Sequence, residues 1–427
     1  MEITNNKTFC IMPWVHLHGW PNGNAYLCCI ANNGGPDAAV GDLSKNSIAE
    51  IMNNDKMKQI RLDMLAGKEI PACSNCYKME NYKVGAQSWR VSNNKQFEDI
   101  TPALLDQTKE DGTIVPKQLY VDFRFSNLCN LSCRSCTSDL SSSIAATPGR
   151  GFGQKNIQLY KDRNVWNNNT VSFTNARGDF IKDDLLQYLE ETRCFYFAGG
   201  ESLIQKEHFE ILSHLDEKKW YDKEIRYNTN LSNLKYKGTD LVEMWKRFDN
   251  VWIMCSIDQV GDKLEYLREG INSKRLFENL NTLVTNKFKI SITHVVSIYN
   301  VYYLYDFIKF LDDNNYLESI HAIDALYAFG DSLSPALLPQ WAKDELISKL
   351  RKDAESDLYK KLFKLFPFIK VAFTSGLENY INDNIQSYTF DKFIQTTEEL
   401  DKVYNKDMYK TFPWLGEVVD NYKNIIR

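Results

Sequence analysis

The feature that most constrains this chain is a trio of cysteines. Cys129, Cys133 and Cys136 are set as C-x3-C-x2-C in the segment FRFSNLCNLSCRSC. The segment follows directly on a strand-like run, QLYVDFRFS. Three thiolates on one short loop can converge on three corners of a metal–sulfur cubane. No fourth cysteine lies close in sequence, so one iron would keep an open coordination position. The same logic separates catalytic from structural zinc. The alternatives are a zinc knuckle or three unrelated cysteines. Zinc usually draws four ligands from paired C-x2-C units, and this spacing suits it poorly.

The chain has 427 residues and ten cysteines, and the placement of the cysteines matters more than their number. Cys10, Cys28, Cys29, Cys73 and Cys76 come early, and Cys194 and Cys255 stand alone. A secreted disulfide scaffold is small and loop-rich; a large chain with clustered cysteines points to metal binding or redox catalysis. With 43% hydrophobic and 13% aromatic residues, the chain can bury a sizeable core. Net charge is −5 with both signs well mixed. Nucleic acid held by bulk electrostatics is therefore not expected. The start, MEITNNKTFC, has no charged-then-apolar signal pattern. No apolar run approaches the ~20 residues of a spanning helix. A soluble, cytoplasmic protein without a membrane partner is expected.

The pattern along the chain divides it into four parts. Residues 1–90 read as a compact cysteine-rich unit. In it, WVHLHGW and AYLCCI are two strands joined by the PNGN turn. Helical spacing of Ile48, Ile51 and Met52, then Met57, Ile60 and Met64, predicts two helices with Ser47 as a cap and Gly67 as the stop. Residues 91–116 are polar, without a clear period, and read as a linker. From 117 to 328, strand-like runs alternate with amphipathic stretches. The runs are QLYVDFRFS, CFYFAGG, IRYNTN, VWIMCSID, ISITHVVSI and SIHAIDALY. Such alternation argues an α/β fold with a parallel sheet and right-handed crossovers, and six such strands can curl into a partial barrel. The first crossover contains SSSIAATPGRGFGQ, read as a mobile segment and flexible lid. Residues 329–427 are charged, helical in pattern, and expected to pack on the barrel or cover its mouth.

The triad resembles the signature of the radical S-adenosylmethionine superfamily, which carries C-x3-C-x2-C at the end of the first strand of a partial (β/α)6 TIM-like barrel. The resemblance covers about 117–325. It implies a [4Fe–4S] cluster on Cys129, Cys133 and Cys136 whose open iron binds S-adenosylmethionine. It also implies reductive cleavage to a 5′-deoxyadenosyl radical that takes hydrogen from a substrate. Ser135 stands where the family usually has an aromatic residue. Gly199, Gly200 and Glu201 resemble the family's Gly-Gly-Glu motif, which grips the methionine amino group. Glycines let the backbone come close, and a carboxylate meets an ammonium through charge-assisted hydrogen bonds. Asn230, in Tyr-Asn-Thr-Asn, and Ser256 with Asp258, in Ser-Ile-Asp, resemble strand ends that reach the ribose and the carboxylate of the cofactor. Gln259 replaces the usual glycine there. Parallel α/β barrels build their sites at these carboxyl ends.

The early cysteines resemble the SPASM/twitch module, which binds auxiliary [4Fe–4S] clusters and more often follows the barrel. That resemblance implies Cys10, Cys28, Cys73 and Cys76 as ligands of one cluster, in the shorter twitch form. Neighbouring strand residues face opposite ways; Cys28 is preferred, with Cys29 as the alternative. A structural zinc on four thiolates also satisfies this spacing. The resemblance further implies an electron donor such as flavodoxin or ferredoxin. It favours a peptide or protein substrate, with a sugar or small metabolite as the alternative. A non-catalytic metal or electron-transfer module is the reading from another class. No catalytic side chain is assigned. Cys194 and Cys255 read as core, His16 and His18 as structural or surface residues, and Tyr302, Tyr303 and Phe307 as helix core.

Overall fold

The structure is a computed structural model that describes residues 6–31, 38–81, 88–328 and 330–426. The first residues of the polar amino terminus fall outside the described residues. Nine strands form one sheet. The first three come from the cysteine-rich unit: β1 (His18–Gly19), β2 (Asn24–Tyr26) and β3 (Gly41–Asp42). The other six are β4 (Tyr120–Phe123), β5 (Cys194–Phe197), β6 (Glu224–Thr229), β7 (Asn250–Ser256), β8 (Lys289–Val296) and β9 (Ala322–Tyr327). From β4 to β9 each strand pairs in parallel with the next in chain order. Each of the six predicted runs overlaps one of these strands, and the predicted α/β class is the observed one.

The intervening helices pack on one side of this sheet. His208, on helix Lys206–Lys218, packs edge-on against Phe197 at 4.7 Å between centroids and sits 2.9 Å from the Tyr227 hydroxyl. The Trp245 indole N–H donates to the same hydroxyl at 3.0 Å. His294 stacks on Phe307 of helix Leu304–Asp313 at 4.6 Å. Residues 197, 227 and 294 therefore mark the outer, helix-facing side. Cys194 and Cys255 are fully buried, as expected of small hydrophobes. Alternate residues face the barrel interior. Along β6 and β7 the interior-facing positions are half-buried, apart from the exposed start of β7, while the outer ones are buried. A parallel sheet packed on both faces would be buried throughout, so the inner face lines accessible space.

The cysteine-rich unit docks by extending the barrel sheet. β1 lies parallel to β4, with His18 opposite Asp122 and Gly19 opposite Phe123. The sequence does not foreshadow this, because two-residue strands carry no period. WVHLHGW is also not one strand: Met12–Val15 forms a single helical turn with Pro13 in its first turn, which suits a residue lacking an N–H. The helices Ile48–Met52 and Asp55–Leu65 follow, the first closed by a full capping box between Ser47 and Glu50. The Arg61 guanidinium, fully buried between these elements, donates to the carbonyls of Gly112, Pro13 and Met52. The stretch read as a linker holds two short helices, Trp89–Gln96 and Thr101–Asp106. Asn94 of the first bonds both the N–H of Ile11 and the carbonyl of Phe9. Among the described residues, no helix is long and apolar enough to cross a membrane.

Candidate functional site

The three cysteines of the triad sit on the loop after β4, and polar side chains hold its backbone from several directions. Ser141 donates to the carbonyl of Leu131 at 2.6 Å and Ser143 to that of Cys129 at 2.7 Å. Arg150 donates to the carbonyls of Ser132 at 3.1 Å, Cys133 at 2.9 Å and Cys136 at 2.9 Å. The Ser/Gly-rich segment expected to be a lid is thus bonded to the cysteine loop. Its serines and arginine satisfy carbonyls that the irregular backbone leaves open. Ser132–Cys133 also pairs antiparallel with Arg268–Glu269.

Arg268, buried, places its Nη1 3.9 Å from Cys133 Sγ and its Nε 2.8 Å from Asp258 Oδ2. Burial nonetheless pushes the Cys133 thiol up to about 12, against the nearby Arg268 and Arg150 charges. Burial likewise raises Cys129 and Cys136. Free, these thiols stay protonated at neutral pH, and a metal that binds them must displace the protons.

The Gly-Gly-Glu turn after β5 backs this loop. Gly199 and Gly200 take φ of +80° and +55°. A Cβ on Gly200 would fall on the Leu128 carbonyl oxygen, and one on Gly199 would lie 2.6 Å from Arg124 Cδ. Only glycine fits these positions. The Glu201 N–H donates to the Leu128 carbonyl at 2.8 Å. Its carboxylate, 2% exposed, accepts from Thr229 Oγ1 at 2.8 Å, the Asn230 N–H at 2.7 Å and the Leu203 N–H at 3.1 Å. Burial raises the carboxyl's pKa, opposed by those three donors. A carboxylate has about four acceptor sites, so capacity remains for one further donor. Asn230 Nδ2 donates to Asn130 Oδ1 inside the triad at 3.0 Å. Glu201, Asn230 and the cysteine loop are therefore one connected unit.

Ser256 is half-buried at the interior end of β7. Asp258 is buried, and both its oxygens are engaged, one by Arg268 and one by the Val295 N–H at 2.8 Å. Gln259, where the resemblance has glycine, donates to the Tyr303 carbonyl at 2.8 Å, and the positive φ falls on Gly261 instead. Four residues of this unit were not visible in the sequence: Arg150, Arg268, Asn130 and Asp401. Asp401, on the tail helix Phe390–Tyr404, pairs with Arg134 at 2.5 Å and accepts from Tyr266 at 2.7 Å. Arg268 and Asp401 each pair across more than 100 residues, which leaves no local signal, whereas Arg150 reaches back only 14 to 18 residues. The tail packs beside the triad, through Asp401 on Arg134 and Tyr404 on Arg150.

Cys10, Cys28, Cys73 and Cys76 line one small enclosed cavity of about 20 Å³, with Met12 and Arg90 beside them. Cys29 does not line this cavity. It senses Asp122 and Arg124 of the barrel interior instead, while burial pushes its thiol up to about 12. The two adjacent cysteines lie in the turn after β2, not in a strand, and face different surroundings. Burial also takes Cys10 and Cys73 up to about 12. Among the described residues, no three His, Cys, Asp or Glu side chains are gathered as ligands of a single metal ion. One zinc needs every sulfur about 2.3 Å from a common point; a cubane spreads its thiolates over separate irons.

The architecture is a parallel, partial α/β barrel with a cysteine loop at the end of its first strand. Residues 10–77 match the SPASM family, an iron–sulfur cluster-binding domain. No curated protein matches the chain by sequence. Similar solved structures include anSMEcpe with bound AdoMet and the Cp18Cys peptide, at 16% identity and TM-score 0.34, covering 56% of this chain and 60% of that one. Streptococcus suis SuiB bound to precursor peptide SuiA matches at 13% identity and TM-score 0.34, covering 76% and 65%. TYW1 with a lysine-pyruvate adduct matches at 14% identity and TM-score 0.29, covering 69% and 89%. The chain spans about three fifths of the anSMEcpe chain.

Proposed function

We propose that this chain is a radical S-adenosylmethionine enzyme with an amino-terminal auxiliary cluster. The observation that carries the reading is the connected unit at the strand ends. There, three cysteines, a glycine turn pressed on their loop, and a buried carboxylate with one acceptor site to spare occur together. Cys129, Cys133 and Cys136 would hold the catalytic [4Fe–4S] cluster, and Cys10, Cys28, Cys73 and Cys76 the auxiliary one. When bound, the first cluster and S-adenosylmethionine supply a 5′-deoxyadenosyl radical that removes hydrogen from a substrate.

The chain's own residues have separable tasks. Glu201 accepts the methionine ammonium. Gly199 and Gly200 let the cofactor approach the backbone. Asn230 and Ser256 offer polar contacts at the interior edge. Asp258 acts through Arg268, holding that cation beside Cys133. Arg150, Ser141 and Ser143 fix the backbone of the cysteine loop that would hold the cluster. The substrate is a peptide or protein side chain, as the SPASM/twitch resemblance implies; a sugar or small metabolite is the second reading. A flavodoxin or ferredoxin would supply the electron.

Anaerobic reconstitution tests this. Brown protein with roughly eight irons is expected for two cubanes. Reductant and S-adenosylmethionine should then yield 5′-deoxyadenosine. Colourless, zinc-loaded protein that leaves S-adenosylmethionine intact would instead favour a non-catalytic metal module.

A further inference from the structure

The barrel interior contains two histidines that the cofactor chemistry does not use. His16 and His18 come from the cysteine-rich unit, yet β1 pairing sets His18 opposite Asp122 on the interior face of β4. His16 packs edge-on against Tyr120 at 5.2 Å. Both rings are fully buried. His16 Nδ1 lies 2.7 Å from the Tyr120 carbonyl oxygen and His18 Nδ1 3.0 Å from that of Asp122. A carbonyl only accepts, so each Nδ1 carries the proton; His18 Nδ1 also lies 3.2 Å from Asp122 Oδ2, and on an uncharged ring Nε2 presents a lone pair. Among the described residues, neither Nε2 has a hydrogen-bond partner.

The surroundings sharpen this. Charged donors on this side of the sheet are engaged: Arg124 on Asp122 at 2.8 Å, Arg226 on Glu224 at 2.9 Å, and the Lys289 ammonium over the Trp252 ring at 3.9 Å. The Trp252 indole N–H donates to Ser291 at 2.9 Å. Among the described residues, Asn228 Oδ1 is another buried acceptor without a partner. It follows Tyr227, which faces the helices, so Asn228 faces inward. The same interior adjoins the proposed cofactor site, since Arg124 lies against Gly199. Three open acceptors in one interior call for donors, because a buried acceptor left unmade costs about 1–3 kcal/mol.

We propose that His16 and His18 are substrate-contacting residues: their Nε2 atoms, with Asn228 Oδ1, receive hydrogen bonds from O–H or N–H groups of a substrate held inside the barrel. This deepens the radical reading and rests on it for the identity of the site. It also gives the amino-terminal unit a second task, completing the substrate wall as well as carrying a cluster.

The test uses crystals of reconstituted holoenzyme soaked separately with acetamide, propane-1,2-diol and acetate. Acetamide or the diol should place a donor within hydrogen-bond distance of an Nε2 atom, and the acceptor-only acetate should not. Acetamide alone there points to peptide-like N–H groups, and the diol alone to a hydroxylated metabolite. His16→Phe and His18→Phe should lose the probe while keeping the iron content and substrate-free formation of 5′-deoxyadenosine. Nitrogen-15 spectra of the native protein give a check that needs no variant: both rings should be protonated at Nδ1 and bare at Nε2. Neither donor at these atoms, acetate in their place, or protons on both Nε2 atoms would overturn the inference. Substrate-free cleavage judges the radical reading separately, and either can fail alone.

Discussion

The two cysteine sites differ in how many thiols they gather and in what lies against them. The amino-terminal site lines an enclosed cavity with four cysteines drawn from three separate segments. The triad places three on one loop and meets a glycine turn and a buried carboxylate instead of a fourth thiol. A cubane at the first site would be capped at every iron. At the second, one iron would stay free to bind a small molecule. On this reading the same ligand type yields a closed and an open site, and the difference is a single missing side chain.

The largest expected effect separates the sites outright. Cys133→Ala should abolish 5′-deoxyadenosine formation and drop iron from roughly eight to roughly four per chain. Next comes the choice between neighbours. Cys28→Ala should lose about four irons, whereas Cys29→Ala should keep the full complement of about eight. Equal losses in both would redraw the auxiliary site. Glu201→Gln should leave both clusters in place and weaken S-adenosylmethionine binding roughly 10- to 100-fold, the worth of one charge-assisted hydrogen bond. Calorimetric titration reads this directly, and unchanged affinity would remove Glu201 from the cofactor site.

Acid should act through the interior histidine. Burial lowers the pKa of His16 to about 4. A group depressed on folding keeps its full contribution above its ordinary value near 6.5 and loses it as pH falls toward 4. Unfolding free energy should therefore drop by up to about 3 kcal/mol across that window, and His16→Gln should flatten this part of the profile. The smallest effect is a control far from either cluster: Ser47→Ala should cost about 1 kcal/mol of stability through the lost cap, with iron content unchanged.

How much was legible in the sequence follows the range of each interaction. β6 and β7 were readable because IRYNTN alternates apolar or β-branched residues with polar ones and VWIMCSID is an apolar run, each ended by Asn or Asp, a purely local pattern. The Ser47 cap was readable for the same reason. The cysteine triad and Gly199–Glu201 stood out because each is contiguous. Arg268 beside Cys133, and Asp401 against Arg134, arise from chain segments that meet only in the fold. The serines at 141–143 illustrate the limit. Their composition suggested a loose loop, yet their hydroxyls cap the carbonyls of the cysteine loop. His16 and His18 read as structural or surface residues, and nothing local reveals that β1 borders the barrel.

The free iron is the claim on which the rest depends. Electron-nuclear double resonance on the reduced holoenzyme with S-adenosylmethionine labelled at the amino nitrogen measures it directly. The account predicts hyperfine coupling from that nitrogen to the cluster on Cys129, Cys133 and Cys136, absent in Cys133→Ala. A fully assembled cluster at those cysteines with no coupling to the label would contradict it.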